Sequence, residues 1–210
     1  MKSFLGIGLA AMACCLCGSA ASAQQGPPAG GPPVSQAPPT ITSVLQTQLT
    51  IVEFEVVNTA QAMPEDKYSF APTNGEFKGV RTFAQQVKHI ATANDRLFDS
   101  ILGVTAPVAP DEGVTSNGPD AIQTKDQILQ YLKDSFARGH KAIATINADN
   151  MVTPLKDPAV PFLSTRAALA AFSCTHAMDH YGQMVEYLRM NGEVPPMSRP
   201  RPPANPPAKP

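Results

Sequence analysis

Apolar residues recur at three- and four-residue intervals in four separate runs, the spacing of one face of an α-helix. The first run covers about 41–63. Ile41, Leu45, Leu49, Val52, Val56 and Met63 form its stripe, and Pro64 marks its stop. The second covers about 82–102, with Phe83, Val87, Ile90, Leu97, Phe98 and Ile101 on its arc and Gly103 placed as a C-terminal glycine. The third starts at Thr124, where Gln127 completes a capping box. It carries Ile128, Leu129, Leu132, Phe136, Ile143 and Ile146 and is expected to end near Asn147–Asn150. Gly139 falls within that stripe and predicts close approach of another helix or a mild kink. The fourth covers about 164–191, with Ser164 as its expected N-cap and Gly192 as its stop. No strand-like alternation, Gly-rich phosphate loop, internal repeat or heptad run is found. The pattern predicts an all-α four-helix bundle.

The stripe of the fourth run holds unusual residues. Leu169, Phe172, His176, His180, Gln183, Tyr187 and Met190 fall in a wedge roughly 100° wide, the width of a core-facing stripe. Burying two imidazoles is costly unless each finds a partner. Their i, i+4 spacing can hold a metal. It equally suits two core histidines bonded to Gln183, Tyr187 or backbone. Gln183 and Tyr187 are candidates for orienting those rings or touching a substrate, with simple packing the plainer role for Tyr187.

Other polar positions are weighed the same way. His89 lies about 120° from the centre of the second arc, at the edge of the buried face. His140 lies beside the third stripe and reads as a flank residue, with a fourth-ligand role as the alternative. Asp179 points about 100° away from His180, and Cys174 lies about 200° around from His176, so neither is expected at the site. Cys174 reads as a small buried residue. Glu53 and Glu55 flank the first stripe as solvated charges. Asn94, inside the second arc, needs a buried partner. Tyr68 and Phe70 are expected to pin the 64–80 connection to the bundle.

The ends differ in character. Lys2, the apolar stretch Phe4 to Leu16 and Ala21-Ser22-Ala23 make an export signal over 1–23, cleaved after Ala23. A lipoprotein reading ranks second, because Cys14 has Ala11 three residues before it. Residues 24–40 read as a Pro/Gly-rich linker and 195–210 as a Pro-rich disordered tail, leaving 41–194 as the folded domain. Export implies a periplasmic or secreted protein. Removing Lys2 from the sixteen basic residues leaves fifteen against seventeen acidic, a net charge of −2. That balance gives no electrostatic case for nucleic acid or an anionic membrane. No later run is apolar enough to span a bilayer. Only Cys174 would remain, so no intrachain disulfide is available and packing must supply the stability.

Three stretches together resemble a known family: Met63-Pro64-Glu65-Asp66-Lys67-Tyr68-Ser69-Phe70-Ala71-Pro72-Thr73; Val80-Arg81-Thr82-Phe83 leading to Val87-Lys88-His89-Ile90-Ala91; and His176-Ala177-Met178-Asp179-His180-Tyr181-Gly182-Gln183. In order and spacing they are similar to the DinB-like (YfiT-like) proteins, over about residues 41–194. The resemblance implies an up-down-down-up bundle with a three-histidine divalent-metal site, whose ligands map onto His89, His176 and His180. Three neutral imidazoles with an open position suit zinc first, and also nickel or iron. Some relatives are thiol-dependent transferases or isomerases. The export signal and the Pro-rich ends depart from that pattern and argue against cytosolic thiol chemistry. The expectation is an exported metal-dependent hydrolase or transferase acting on a small molecule. The alternative is a non-catalytic metal- or ligand-binding bundle. A homodimer through helix faces is compatible with either.

Overall fold

The computed structural model describes residues 38–104 and 116–200. The expected export signal, most of the 24–40 linker and most of the Pro-rich tail lie outside the described residues. Four helices account for the described architecture: α1 (Ile41–Ala62), α2 (Phe83–Leu102), α3 (Lys125–Ala144) and α4 (Arg166–Met190). Each starts at a threonine whose side chain accepts a hydrogen bond from a first-turn N–H. Thr40, Thr82 and Thr124 complete reciprocal capping boxes with Ser43, Gln85 and Gln127. Such a cap contributes about 1 kcal/mol. Gly103 closes α2 in the left-handed region, at φ 70°.

Side-chain bonds between helices fix their directions. Lys125, at the start of α3, reaches the carbonyls of Gln61 and Met63 at the end of α1. Gln46, near the start of α1, donates to the carbonyl of His140 near the end of α3. These two helices therefore run antiparallel. Thr92, Asn94 and Asp99 meet Tyr131, Ser135 and Arg138 in the same order, so α2 and α3 are parallel. Gln86 meets Gln183 while His89 meets His176, so α2 and α4 are antiparallel. The topology is up-down-down-up. Helices α1 and α2 each pack against both α3 and α4. Because α2 and α3 are parallel, the end of α2 and the start of α3 lie at opposite ends of the bundle, about 30 Å apart for helices of this length.

The apolar stripes of α1 to α3 lie where the pattern puts them. Phe83, Phe98 and Phe136 are among the largest fully buried side chains. Burying a Phe contributes about 1.5–3 kcal/mol. Gly139 is where α3 crosses Phe98 and Leu49: a Cβ there would sit 2.5 Å from the Phe98 ring. Asn94 finds its buried partner in Ser135, at 3.3 Å. Tyr68 is buried and donates to the Ala60 carbonyl at 2.7 Å. Phe70 packs edge-to-face on Tyr187, so the 64–80 connection is pinned as expected.

Four boundaries or faces differ from the pattern. Helix α3 ends at Ala144, because Asn147 and Asn150 turn their side chains onto nearby backbone N–H groups and offer the chain a competing turn. Thr165, not Ser164, caps α4, since the Ser164 carbonyl accepts from Leu155 N–H in a short bridge with the preceding connection. The expected tail begins with an ordered turn, Pro196–Ser198, packed against α1. The core face of α4 is also rotated from the expected stripe. Leu169, His180 and Tyr187 of the expected stripe are buried, but so are Ala170, Ser173, Cys174, Ala177, Met184 and Leu188 beside it, whereas Met190 is 55% exposed and Phe172, His176 and Gln183 are half-buried. Small side chains line this face, which lets α4 sit close to its neighbours. The histidines lie along its edge, facing α2.

Candidate metal centre

The structure brings His89 from α2 together with His176 and His180 from α4. Helical spacing stacks the α4 pair, and the antiparallel α2–α4 packing brings His89 level with it. The Nε2 atom of His176 is 3.1 Å from Nε2 of His89 and 3.2 Å from Nε2 of His180. One ligand atom from each ring lies within 4.8 Å of the others. His180 is buried, and the other two rings are half-buried. His89 escaped the periodicity because α2 packs against two helices. Its buried arc therefore includes Gln86, Lys88, Thr92 and Asp99 beside the apolar residues.

Two of the rings are held by their outer nitrogens. His89 Nδ1 lies 2.6 Å from the Ser116 carbonyl, and His180 Nδ1 lies 2.7 Å from Gln86 Oε1. Both partners are acceptors, so each Nδ1 carries the proton and each Nε2 turns a lone pair inward. His176 has at most one Nε2 proton to share between two facing lone pairs, while its own Nδ1 is buried without a hydrogen-bond partner. One cation meets all three lone pairs at once. Ligands about 2.0–2.1 Å from a tetrahedral ion stand about 3.3–3.4 Å apart, close to the observed contacts. The residues present therefore fit a divalent metal, held through three imidazole Nε2 atoms.

Charge distribution favours the neutral rings that ligation needs. Burial, then the neighbouring His89, lowers the pKa of His176 to about 4. Burial, then His176 and His89, lowers that of His180 to about 3. Burial also lowers that of His89, against the opposing effect of the Ser116 carbonyl. No carboxylate belongs to the cluster among the described residues.

Gln86 and Ser116 were not singled out by the sequence. Gln86 is 1% exposed and one helical turn before His89. It accepts from His180 and donates to Gln183 Oε1 at 2.7 Å, and Gln183 in turn donates to Asp179 at 3.2 Å. Gln183 and Asp179 thus join the hydrogen bonding of the centre through Gln86, and the Asp179 charge also acts on His176. Ser116 adopts a left-handed φ of 53°, a conformation costly for a residue with a side chain. Gly118 makes this loop possible. Its φ is 77°, and a Cβ there would lie 2.8 Å from Lys88 Cβ. Lys88 donates to the Pro119 carbonyl and Arg81 to Asn117, fastening the loop on α2. A glycine-containing loop at the end of a long connection was the available signal, but its target was not legible.

The other candidates take lesser places. Tyr187 is buried, donates to the Arg81 carbonyl at 3.1 Å and lines neither cavity beside the histidines. His140 lies between α3 and α1, bonded to Gln46 and Glu53, and does not join the cluster. Glu53 is accordingly a partner of His140 rather than a free flank charge. Cys174 is buried on the core face.

Two cavities flank the cluster. One, of about 150 Å³, is lined by Ala93, Leu97, Val160 and Phe172 together with His89, Thr92, Arg96, Ser116 and His176. The other, of about 510 Å³, is polar and lined by Arg81, Gln85, Gln86, Asn117 and Gln183 with Gly79 and Val80. No described helix is long and apolar enough to cross a membrane.

The model of the DinB superfamily matches residues 48–184, a span holding all three clustered histidines. No curated protein matches the chain. The matched span covers most of the four helices and well over half of the sequence, and the chain belongs to the DinB superfamily.

Proposed function

We propose that this is an exported, YfiT-like member of the superfamily in which His89, His176 and His180 hold one divalent metal, zinc in the first place and nickel or iron as alternatives. We further propose that it acts as a metal-dependent hydrolase or transferase on a small molecule. The observation that carries the reading is the direction of the rings: two Nδ1–H groups are tied outward to Ser116 and Gln86, and the Nε2 atoms converge. When bound, a divalent ion with an open position supplies Lewis acidity and can bring the pKa of water toward about 7. Gln86 and the Ser116 carbonyl would orient the rings. The flanking cavities would admit the substrate and limit water. Export rests on the residues of the 1–23 segment.

The absence of a carboxylate from the cluster among the described residues favours a second reading, a bundle that binds metal without catalysis. Screening zinc-loaded protein against small ester, amide and lactone panels separates the two. Turnover lost in His176→Ala supports the enzyme. Stoichiometric metal with no turnover across the panels supports the binding protein.

A further inference from the structure

The smaller cavity constrains what such a centre accepts. His89 and His176 form part of its wall, so anything bound there lies against the centre. Part of its polar lining among the described residues is already engaged. Thr92 shares a hydrogen bond with Tyr131, Arg96 donates to the Ala159 carbonyl, and the Ser116 carbonyl accepts from His89. Among the described residues the remaining wall is Ala93, Leu97, Val160 and Phe172. A polyhydroxylated group placed against these four side chains would find no partners on them, which is costly. The volume, about 150 Å³, is that of an apolar cavity able to take up benzene.

We propose that the ligand of this centre carries a small apolar group, the size of a phenyl ring or a branched chain of comparable bulk. That group sits against Leu97, Val160 and Phe172, next to an oxygen or nitrogen head that reaches the three histidines. This deepens the proposed function and rests on its metal reading. It selects esters and amides that carry an aromatic or branched-aliphatic group as the substrate class over sugar-like molecules.

The test uses the full chain loaded with cobalt(II), whose visible spectrum reports ligands entering the metal's coordination sphere. It is titrated with acetohydroxamate and benzohydroxamate, which share a head and differ by the ring. Benzohydroxamate is expected to bind about tenfold or more tightly, from the apolar area it buries. Ala93→Phe fills the cavity from a half-buried position on α2, and Val160→Phe does so from the connection before α4. Each is expected to keep its cobalt and its acetohydroxamate affinity while losing the advantage of the ring. Equal affinities in the unmodified chain, or an advantage that survives both substitutions, would overturn the inference alone. A chain that takes up no cobalt overturns the metal reading and this inference with it.

Discussion

Two histidine sites on one bundle show what separates a ligand from a structural residue. His140 bridges α3 and α1. Its ring nitrogens meet Gln46 Oε1 and Glu53 Oε2, and the side chains involved are partly exposed. Each ring nitrogen there faces a side-chain oxygen, and neither is turned toward a second imidazole. Between α2 and α4 the arrangement is reversed. The outer nitrogens of His89 and His180 are occupied and the inner ones face each other across 3.1–3.2 Å contacts with His176. Residue type is the same in both places. The difference is whether the protein itself completes the hydrogen bonding.

The largest effect should come from removing the shared ring. His176→Ala should lower bound metal from one equivalent to below about one tenth, since two imidazoles alone make a poor site. His140→Ala should leave metal content unchanged. Elemental analysis of both variants would erase the distinction if they lost metal alike. Next in size is Gln86→Leu, which keeps the bulk but leaves the His180 Nδ1–H without its acceptor. Metal affinity should weaken about 10–100-fold, read by competition with a chromogenic chelator. Gly118→Ala should act through the loop, because the added Cβ meets Lys88 and the φ is unfavourable. A stability loss of about 1–3 kcal/mol in urea unfolding, together with weaker metal binding, is expected. An unchanged metal affinity would detach the Ser116 carbonyl from the centre.

Protons should discriminate the cluster as well. The three clustered rings have folded pKa values below the usual 6.5, so the unfolded chain takes up more protons as the pH falls from about 6.5 toward 3. Stability that these neutral rings retain above pH 6.5 is therefore lost progressively across that window. The urea midpoint of the metal-free chain should fall with it, and replacing His176 and His180 by glutamine should flatten the dependence. The smallest effect belongs to the bridge between α3 and α1. His140→Ala should cost about 0.5–1.5 kcal/mol, as for a partly exposed hydrogen-bonded pair, measured by thermal unfolding.

Much of this architecture was written in the apolar spacing. The stripes of α1, α2 and α3 are legible because their buried residues are large, and the capping threonine of α3 and the stop at Gly103 announce themselves. Helix α4 is harder. Its buried face is built from Ala170, Ser173, Cys174 and Ala177, which carry little hydropathic signal. The larger side chains Phe172 and Met190 drew the expected stripe toward an edge. His176 and His180 stood out because their spacing is local. His89 could be joined to them only through a family resemblance, since the contact spans 87 residues. Gln86 and Ser116 were invisible because their roles depend on the α2–α4 packing and on where the long connection lands.

The most direct measurement is elemental analysis of the full chain, purified without chelator or added metal, set beside the His89→Ala variant. The account predicts close to one zinc, nickel or iron per unmodified chain and almost none in the variant. An unmodified chain without stoichiometric metal, and unable to take it up on titration, would contradict it. So would a variant that holds as much metal as its parent.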